Sequence, residues 1–297
     1  MTSSQPPPLT LSHPSRPILA ASSNFLTVQS HYSQLLTEHY SWMFGGYANR
    51  LAQNRALLLQ HVPSSVNPGT IAVDLGCGPG YQTLNLLEFG YHVVAVDASR
   101  GMLDELEQEC RAAGFDTGKV TAVEGDLLNF REEVQDGTAG CIVCMGDSPT
   151  HLASLDEVRR MIMDSYAALA PHGRLILQFR DMTHPLEGTD RFIPVRSDAM
   201  TVFTCFLEWE NDNNNNNNNT DAPTNAVQED GSGRRVKVHD LVHVKKGNST
   251  WELCKSWYYK LAMSQKWVAS ALTEAGFRVE IGPTEHGMQL VLGIKTA

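Results

Sequence analysis

Hydrophobic positions divide the middle of the chain into alternating strand-like and helix-like segments. Apolar runs of five or six residues, typical of buried strands, occur at 71–75, 92–97, 120–124, 140–145 and 174–179. The segments between them carry apolar residues at helical spacing, such as Leu84, Leu86 and Leu87 after the first run. Strands that alternate with helices form a parallel sheet covered on both faces. The pattern therefore predicts a doubly wound α/β fold.

The alternation ends after residue 180. Four strand-like segments follow with no helix between them, at 191–197, 201–210, 234–246 and 251–260. They predict an antiparallel β insertion that spans about 184–262. Ser264 then caps a predicted helix over 265–275, and two final strands at 278–281 and 288–295 form a hairpin that completes the main sheet.

Two segments have compositions that do not support a packed core. Residues 1–24 are rich in Pro and Ser and carry one charge, Arg16, so we predict a disordered tail before a domain at 25–297. Residues 211–233 include seven consecutive asparagines, and we predict a disordered loop without a functional role. A cytoplasmic protein is expected, although Ser-rich, acid-poor starts also occur in organelle transit peptides.

Charge and composition limit the classes of molecule that the protein is expected to bind. The formal net charge of −10 argues against nucleic acid, because phosphate binding depends on Lys and Arg. No apolar run approaches 18 residues, so we expect no membrane span. His239 and His243 alternate onto one strand face without an apparent third ligand, so we expect no metal site. A small-molecule substrate is the partner that remains, and the oligomeric state stays open.

The candidate chemistry lies where the apolar runs end. Asp74 is followed by a G-x-G-x-G turn at Gly76, Gly78 and Gly80, before a helix whose N-terminus offers N–H groups to a ligand. The second run ends at Asp97, 17 positions after Gly80, where a carboxylate can accept both ribose hydroxyl protons. Another acid, Asp126, follows the third run.

These units together resemble motif I and the following acids of the class I S-adenosylmethionine (SAM) methyltransferases. The resemblance implies a Rossmann-like, seven-stranded sheet whose last strand is antiparallel, with SAM as the cofactor. It also implies that helices before the first strand form a lid over SAM, that Asp97 binds its ribose, and that Asp126 binds its adenine amino group. The other cofactor contacts implied are Tyr40, Arg50, Asp74, Gly76, Cys77, Gly78, Gly80, Ala98, Leu127 and Met145.

A narrower resemblance concerns the ends of strands four and five. Residues 144–148 (Cys-Met-Gly-Asp-Ser), with a His-Leu pair at 151–152, resemble the Cys-Leu-Gly-Asn-Ser segment of the glycine N-methyltransferase group. Residues 175–180 resemble that group's fifth strand, whose closing arginine binds the substrate carboxylate. Asp147, His151 and Arg180 are therefore implied as catalytic residues. Two departures are Asp147, where the group has Asn, and Val195, where it has a substrate-contacting tyrosine.

The resemblance implies methyl transfer to a small nucleophile, most consistently the amine of an amino acid or a related small carboxylate. An O- or S-methyltransferase of a small acid or thiol has a similar sequence and is the alternative. A non-catalytic SAM-binding module is a third, although the glycine turn and Asp97 are both intact. Methyltransferases of nucleic acids carry a Pro-Pro-Tyr type sequence after strand four, whereas residues 146–149 are Gly-Asp-Ser-Pro.

Overall fold

The structure, a computed structural model, describes residues 37–63, 67, 69–210, 227–247, 250–284 and 287–296. The predicted tail at 1–24, the predicted start of the lid at 28–36 and the asparagine run lie outside the described residues. No helix in the described ranges is long and apolar enough to cross a membrane.

The chain begins with two helices and then alternates strands with helices, as the hydrophobic pattern predicts. The helices that precede or follow the first five strands are α1 (Thr37–Met43), α2 (Tyr47–His61), α3 (Tyr81–Glu88), α4 (Arg100–Ala112) and α5 (Leu155–Ala168). The strands are β1 (Ile71–Leu75), β2 (His92–Asp97), β3 (Val120–Glu124), β4 (Ala139–Cys144) and β5 (Leu169–Arg180). The chain ends with α6 (Gln265–Glu274), β10 (Arg278–Ile281) and β11 (Met288–Ile294).

These strands form a seven-stranded sheet in the order β10-β11-β5-β4-β1-β2-β3. Strands β1 to β5 are parallel, and β11 pairs antiparallel with β5 and β10. Leu58, Leu86 and Leu103 place α2, α3 and α4 on one face of the sheet, while Ile162 and Leu272 place α5 and α6 on the other. The predicted doubly wound sheet with an antiparallel last strand is confirmed.

One strand differs in length from the sequence pattern. The apolar run predicts the fifth strand at 174–179, whereas β5 begins at Leu169, which pairs with Ala139 of β4 before an irregularity in the register. His172 has a positive φ of 65° at this irregularity, and Pro171 and Gly173 flank it. A Pro-His-Gly sequence has the composition of a turn, which is why the pattern alone indicates a later start.

The insertion forms a second sheet, here called the cover sheet, with strands β6 (Phe192–Ser197), β7 (Thr201–Trp209), β8 (Arg235–Lys246) and β9 (Thr250–Leu261). All three pairings are antiparallel, in the order β6-β7-β8-β9. The face that carries Phe203, Val242 and Val236 is buried, while the opposite face exposes Phe192 and Trp257. The predicted antiparallel insertion is confirmed.

The residues that lead into β8 are firmly attached. Ser232 is fully buried, and its hydroxyl accepts a hydrogen bond from the Ser264 N–H at 3.0 Å. Gly231 has a φ of +84°, and a Cβ atom there would lie 2.6 Å from the Thr183 carbonyl oxygen. The end of the predicted loop, residues 227–233, therefore contacts the main domain.

All five tryptophans lie outside residues 71–180. Three belong to the cover sheet, namely Trp209 in β7 with Trp251 and Trp257 in β9. The other two lie in α1 and α6, at Trp42 and Trp267. The central strands of the main sheet therefore contain no indole.

Candidate active site

A glycine turn connects β1 to α3 and forms one side of the site. Gly76, Gly78 and Gly80 have φ values of 71°, 52° and 94°, in the region that only glycine adopts readily. A Cβ atom on Gly76 would lie 2.6 Å from the Ser148 hydroxyl, and one on Gly80 would lie 2.4 Å from the Leu106 side chain. The turn therefore packs closely against α4 and the residues after β4, where a side chain would not fit.

Asp74 lies beneath this turn at the end of β1 and is 1% exposed. Its Oδ2 atom accepts a hydrogen bond from the Thr83 hydroxyl at 2.6 Å. Its Oδ1 atom is buried, and no donor among the described residues reaches it. Burial raises the pKa of this carboxyl to about 7, although the Thr83 hydrogen bond opposes the shift. A buried acceptor without a donor fits a cationic or N–H group of a ligand.

Asp97 at the end of β2 faces the same turn. Its Oδ2 atom accepts the Gly78 N–H at 2.8 Å, and Oδ1 accepts the Ser99 N–H at 2.9 Å. Burial raises the pKa of Asp97, and backbone hydrogen bonds from Ser99, Gly78 and Ala98 act in the opposite direction. A carboxylate has about four lone-pair positions, so acceptor capacity remains for a ligand hydroxyl group.

The remaining predicted cofactor contacts surround this point. Cys77 and Met145 are each 2% exposed, and Ala98 lies directly after Asp97. Asp126 and the half-buried Leu127 begin a short 3₁₀ helix after β3, where the Asp126 carboxylate accepts the Leu128 N–H at 2.9 Å. Burial raises the pKa of the Cys77 thiol well above its usual value, so this thiol is neutral.

Residues 37–50 cover the glycine turn and are the described part of the predicted lid. Tyr40 stacks on Tyr81 with 6.3 Å between ring centroids, and its ring lies 3.8 Å from the position of a Cβ atom on Gly78. The Tyr47 hydroxyl donates to the Pro79 carbonyl at 3.0 Å. The Arg50 guanidinium lies 4.6 Å from the centre of the Phe44 ring.

Asp147 lies where β4, β5 and the cover sheet meet. It has a left-handed backbone with a φ of 79°, and its Oδ1 atom accepts the Arg180 N–H at 2.8 Å. Its Oδ2 atom forms an ion pair with the Lys260 ammonium of β9. Burial acts to raise the pKa of Asp147, but Lys260 and Arg180 outweigh it and hold this pKa below its usual value.

Arg180 closes β5 next to this carboxylate, and its side chain is exposed. No described residue accepts a hydrogen bond from its guanidinium or forms an ion pair with it. Burial lowers the pKa of Arg50, and the positive charge of Arg180 lowers it further, so the two cations lie near each other. His151 ends a short 3₁₀ helix after Asp147, and its ring lies 5.3 Å from the Tyr258 ring.

The structure thus brings the predicted residues to one edge of the sheet, at the carboxyl ends of β1, β2, β4 and β5. It also brings in residues that the sequence argument did not select. Lys260 lies on the inner face of β9, and the Ser148 hydroxyl donates to the Gly76 carbonyl at 3.2 Å. The strand alternation of β9 was the available signal, because it places a lysine on the same side as the buried Tyr258.

In the described ranges, no group of three or more His, Cys, Asp or Glu side chains could hold a metal ion. The Nε2 atom of His239 lies 2.6 Å from the Oε2 atom of Glu208 on the neighbouring strand β7. His243 faces Leu253 across the β8–β9 pair.

Residues 72–173 match the methyltransferase domain family. The match covers 102 of the 297 residues, so similarity to a methyltransferase domain extends over about a third of the chain. The matched region holds the central strands of the sheet and the glycine turn, and the four strands of the cover sheet follow it in sequence.

Curated relatives match part of the chain at modest identity. A glycine/sarcosine N-methyltransferase of Halorhodospira halochloris is 32% identical over 112 residues, which is 38% of this chain and 40% of the relative. A cypemycin N-terminal methyltransferase of a Streptomyces species is 36% identical over 145 residues, which is 44% of this chain and 55% of the relative. The chain therefore spans about half the length of the relatives it matches.

Solved structures share the fold over nearly the whole chain. The CcbJ methyltransferase of Streptomyces caelestis covers 90% of this chain and 98% of its own, with a TM-score of 0.65 and 16% identity. The sugar N-methyltransferase KedS8 of a Streptoalloteichus species covers 97% of this chain and 100% of its own, with a TM-score of 0.60 and 13% identity. At this identity the likeness concerns the fold alone.

Proposed function

We propose that this chain transfers a methyl group from SAM to the amine of a small molecule that also carries a carboxylate, such as an amino acid. The observation that carries the proposal is the free guanidinium of Arg180 beside the glycine turn. Among the described residues, this guanidinium has no hydrogen-bond or ion-pair partner. It lies at the edge of the sheet where ligands bind in open α/β folds.

The residues at the turn fit SAM. The buried Oδ1 atom of Asp74 would receive a donor from the methionine part of the cofactor, and Asp97 would accept a hydrogen bond from the ribose hydroxyls. The glycine turn leaves room for the cofactor backbone, and Tyr40 covers it from the lid. The names of the relatives, glycine/sarcosine N-methyltransferase and cypemycin N-terminal methyltransferase, support a nitrogen acceptor.

SAM supplies a methyl group that is already activated on a sulfonium, so the protein must mainly orient the nucleophile and exclude water. Such positioning can account for roughly 7–11 kcal/mol of a barrier. The lid packs against the inner face of the cover sheet, with Trp42 in contact with the cluster around Phe203, so the two elements would cover the site together. The amine loses its proton to water before transfer, because a dry pocket favours its neutral form.

Arg180 and Asp147 would orient the substrate. The planar guanidinium suits a carboxylate through two parallel hydrogen bonds. The Asp147 carboxylate accepts one hydrogen bond from the Arg180 N–H and one from the Lys260 ammonium. Each oxygen has a second lone pair, which could accept a hydrogen bond from the amine of the substrate. His151 lies on the same short helix and lines this end of the pocket beside Tyr258.

A SAM-consumption screen over amino acids, other amines, thiols and small carboxylates tests this function. We expect turnover with an amino acid or a related amine, and the Arg180→Ala variant should raise KM for it at least about tenfold, as the loss of a charged hydrogen-bond partner predicts. The KM of Arg180→Lys should lie between those of wild type and Arg180→Ala, because lysine keeps the charge but loses the planar geometry.

Arg278→Ala, which removes an exposed arginine from β10, is the matched control and should leave KM unchanged. Turnover confined to thiols or to oxygen nucleophiles would replace the proposed reaction with an S- or O-methylation. If Arg180→Ala used the best substrate as well as wild type does, an uncharged substrate would be the better assignment.

A further inference from the structure

Lys260 occupies an unusual position for a lysine. It lies on the inner face of β9, two residues from the buried Tyr258, and its side chain is 12% exposed. Its ammonium forms an ion pair with Asp147, whose side chain is 8% exposed. The two residues are 113 positions apart, so this pair joins the cover sheet to the end of β4.

Removing one partner of such a pair leaves the other charge buried without compensation, which is unfavourable. The nearest alternative cation for Asp147 is Arg180, whose main-chain N–H already contacts this carboxylate and whose charge lowers its pKa. Without Lys260, the guanidinium of Arg180 would therefore be drawn to Asp147. With Lys260 present, the guanidinium has no acceptor in the described part of the chain.

The Cys205 thiol of β7 lies on the same inner face of the cover sheet as Lys260 and donates to Asp240 at 3.0 Å. Burial raises the pKa of this thiol and Asp240 raises it further, while Lys260 and Arg180 both lower it. The positive charges of Lys260 and Arg180 therefore both act on this part of the inner face.

We propose that Lys260 is a specificity-determining residue, which binds Asp147 so that the guanidinium of Arg180 stays free for the carboxylate of the substrate. The inference rests on the proposed function and adds a reason for Asp147, where the resembling group has a neutral asparagine. An asparagine needs no counter-ion, whereas an aspartate next to the substrate-binding arginine must be neutralised by a second cation. Lys260 is that cation, and it acts on the substrate through Asp147 and Arg180.

Steady-state kinetics of four variants test this inference: Lys260→Met, Asp147→Asn, the double variant and Lys255→Met. We expect Lys260→Met to raise KM for the carboxylate-bearing substrate at least about tenfold with a smaller effect on kcat, because Asp147 then competes for Arg180. The double variant should return KM to within about threefold of wild type, since no carboxylate is left to compete. Lys255→Met, on the exposed face of the same strand, should change neither constant.

SAM affinity by calorimetry should be the same in all four variants, which separates a local effect from general unfolding. An unchanged KM in Lys260→Met, or a double variant as impaired as Lys260→Met, would overturn the inference. If Lys260→Met does not fold, the double variant decides alone, because a raised KM there contradicts the proposed role and a normal KM supports it. Absence of turnover by wild type in the screen would instead refute the proposed function, independently of how the variants compare.

Discussion

At the scale of single residues, Asp97 has a structural role and a proposed role in binding the cofactor. It accepts N–H groups from Gly78 and Ser99, which holds the glycine turn against the start of α4. Replacement by alanine would disturb this structural role as well as the proposed one. Replacement by asparagine keeps the size of the side chain and one carbonyl oxygen, so it changes mainly the acceptor set.

We predict that Asp97→Asn binds SAM at least about tenfold more weakly than wild type, because hydrogen bonds to a charged group contribute roughly 1.5–3 kcal/mol. Isothermal titration calorimetry measures the affinity, and circular dichroism checks that the variant is folded. Asp116→Asn, at an exposed turn before β3, is a matched control. Equal affinities for Asp97→Asn and wild type would place the ribose contact elsewhere.

Asp74 makes a second prediction at this scale, concerning pH. Its pKa in the folded, ligand-free protein is raised to about 7 by burial, above the ordinary value of 3.8. The folded state therefore holds the proton more tightly than the unfolded state does. The contribution of this group to the free energy of unfolding is greatest below pH 4 and falls as the pH rises from about 4 to 7.

Asp74→Asn removes this titration and keeps an oxygen for the Thr83 hydroxyl. We expect the stability of the ligand-free variant to increase relative to wild type between pH 5 and pH 8, which urea denaturation at the two pH values measures. Asp104→Asn, whose side chain is 66% exposed, should show no such change. A difference between Asp74→Asn and wild type that does not depend on pH would mean that Asp74 is ionised throughout.

At the scale of elements, the predicted lid is attached to the main domain and to the cover sheet by contacts of mixed kind. Ser41 donates to Glu105 of α4 at 2.8 Å, and Trp42 donates to Asp198 at the end of β6 at 2.8 Å. Both bonds lie at the border of the site, and the Tyr40 ring lies directly over the glycine turn. Segments with few buried contacts open locally at low free-energy cost.

We predict that amide hydrogens of residues 39–50 exchange more slowly when SAM is bound, because a ligand beneath the lid adds contacts that opening must break. Hydrogen exchange followed by mass spectrometry, with and without SAM, measures the change. Peptides from α6, on the opposite face of the sheet, serve as the internal reference. Identical exchange of 39–50 in both states would make the lid a fixed part of the core.

The elements also show which features of the fold and the site can be predicted from the sequence. The strand-like composition of 201–210 and 234–246 predicts β7 and β8 to within about one residue. The acids at the ends of β1 and β2 lie close to the glycine turn, because parallel strands end at the same edge of the sheet. The Lys260–Asp147 pair is different, since it depends on how the cover sheet folds back over 113 residues, and no local pattern carries that information. The roles of the site residues stay predictions.

At the scale of the whole molecule, the segment from 211 to 226 connects two strands that are already paired. Glu210 donates its N–H to the Arg235 carbonyl at 3.0 Å, so the ends of β7 and β8 are adjacent. Residues 227–233 belong to the folded part through Ser232 and Gly231. The sequence argument assigned both parts to one loop without function.

We predict that deletion of residues 212–226 leaves the melting temperature and turnover nearly unchanged, because loop closure depends only weakly on loop length. Gly231→Ala should instead lower the melting temperature by several degrees, since its Cβ atom would lie 2.6 Å from the Thr183 carbonyl oxygen. Differential scanning fluorimetry and the SAM-consumption assay measure the two effects. A folded deletion variant with low turnover would show that the segment takes part in function.

The placement of the tryptophans has a spectroscopic consequence. Indole emission comes from the lid, the cover sheet and α6, whereas the ellipticity near 222 nm comes mainly from the helices around the central sheet. In a thermal or urea titration, emission thus follows mainly the cover sheet, with one indole each in the lid and in α6, whereas ellipticity follows mainly the helices of the main sheet. Coincident curves indicate that both layers unfold as one cooperative unit. Curves that separate in Lys260→Met would show the cover sheet detaching while the parallel sheet beneath it stays folded.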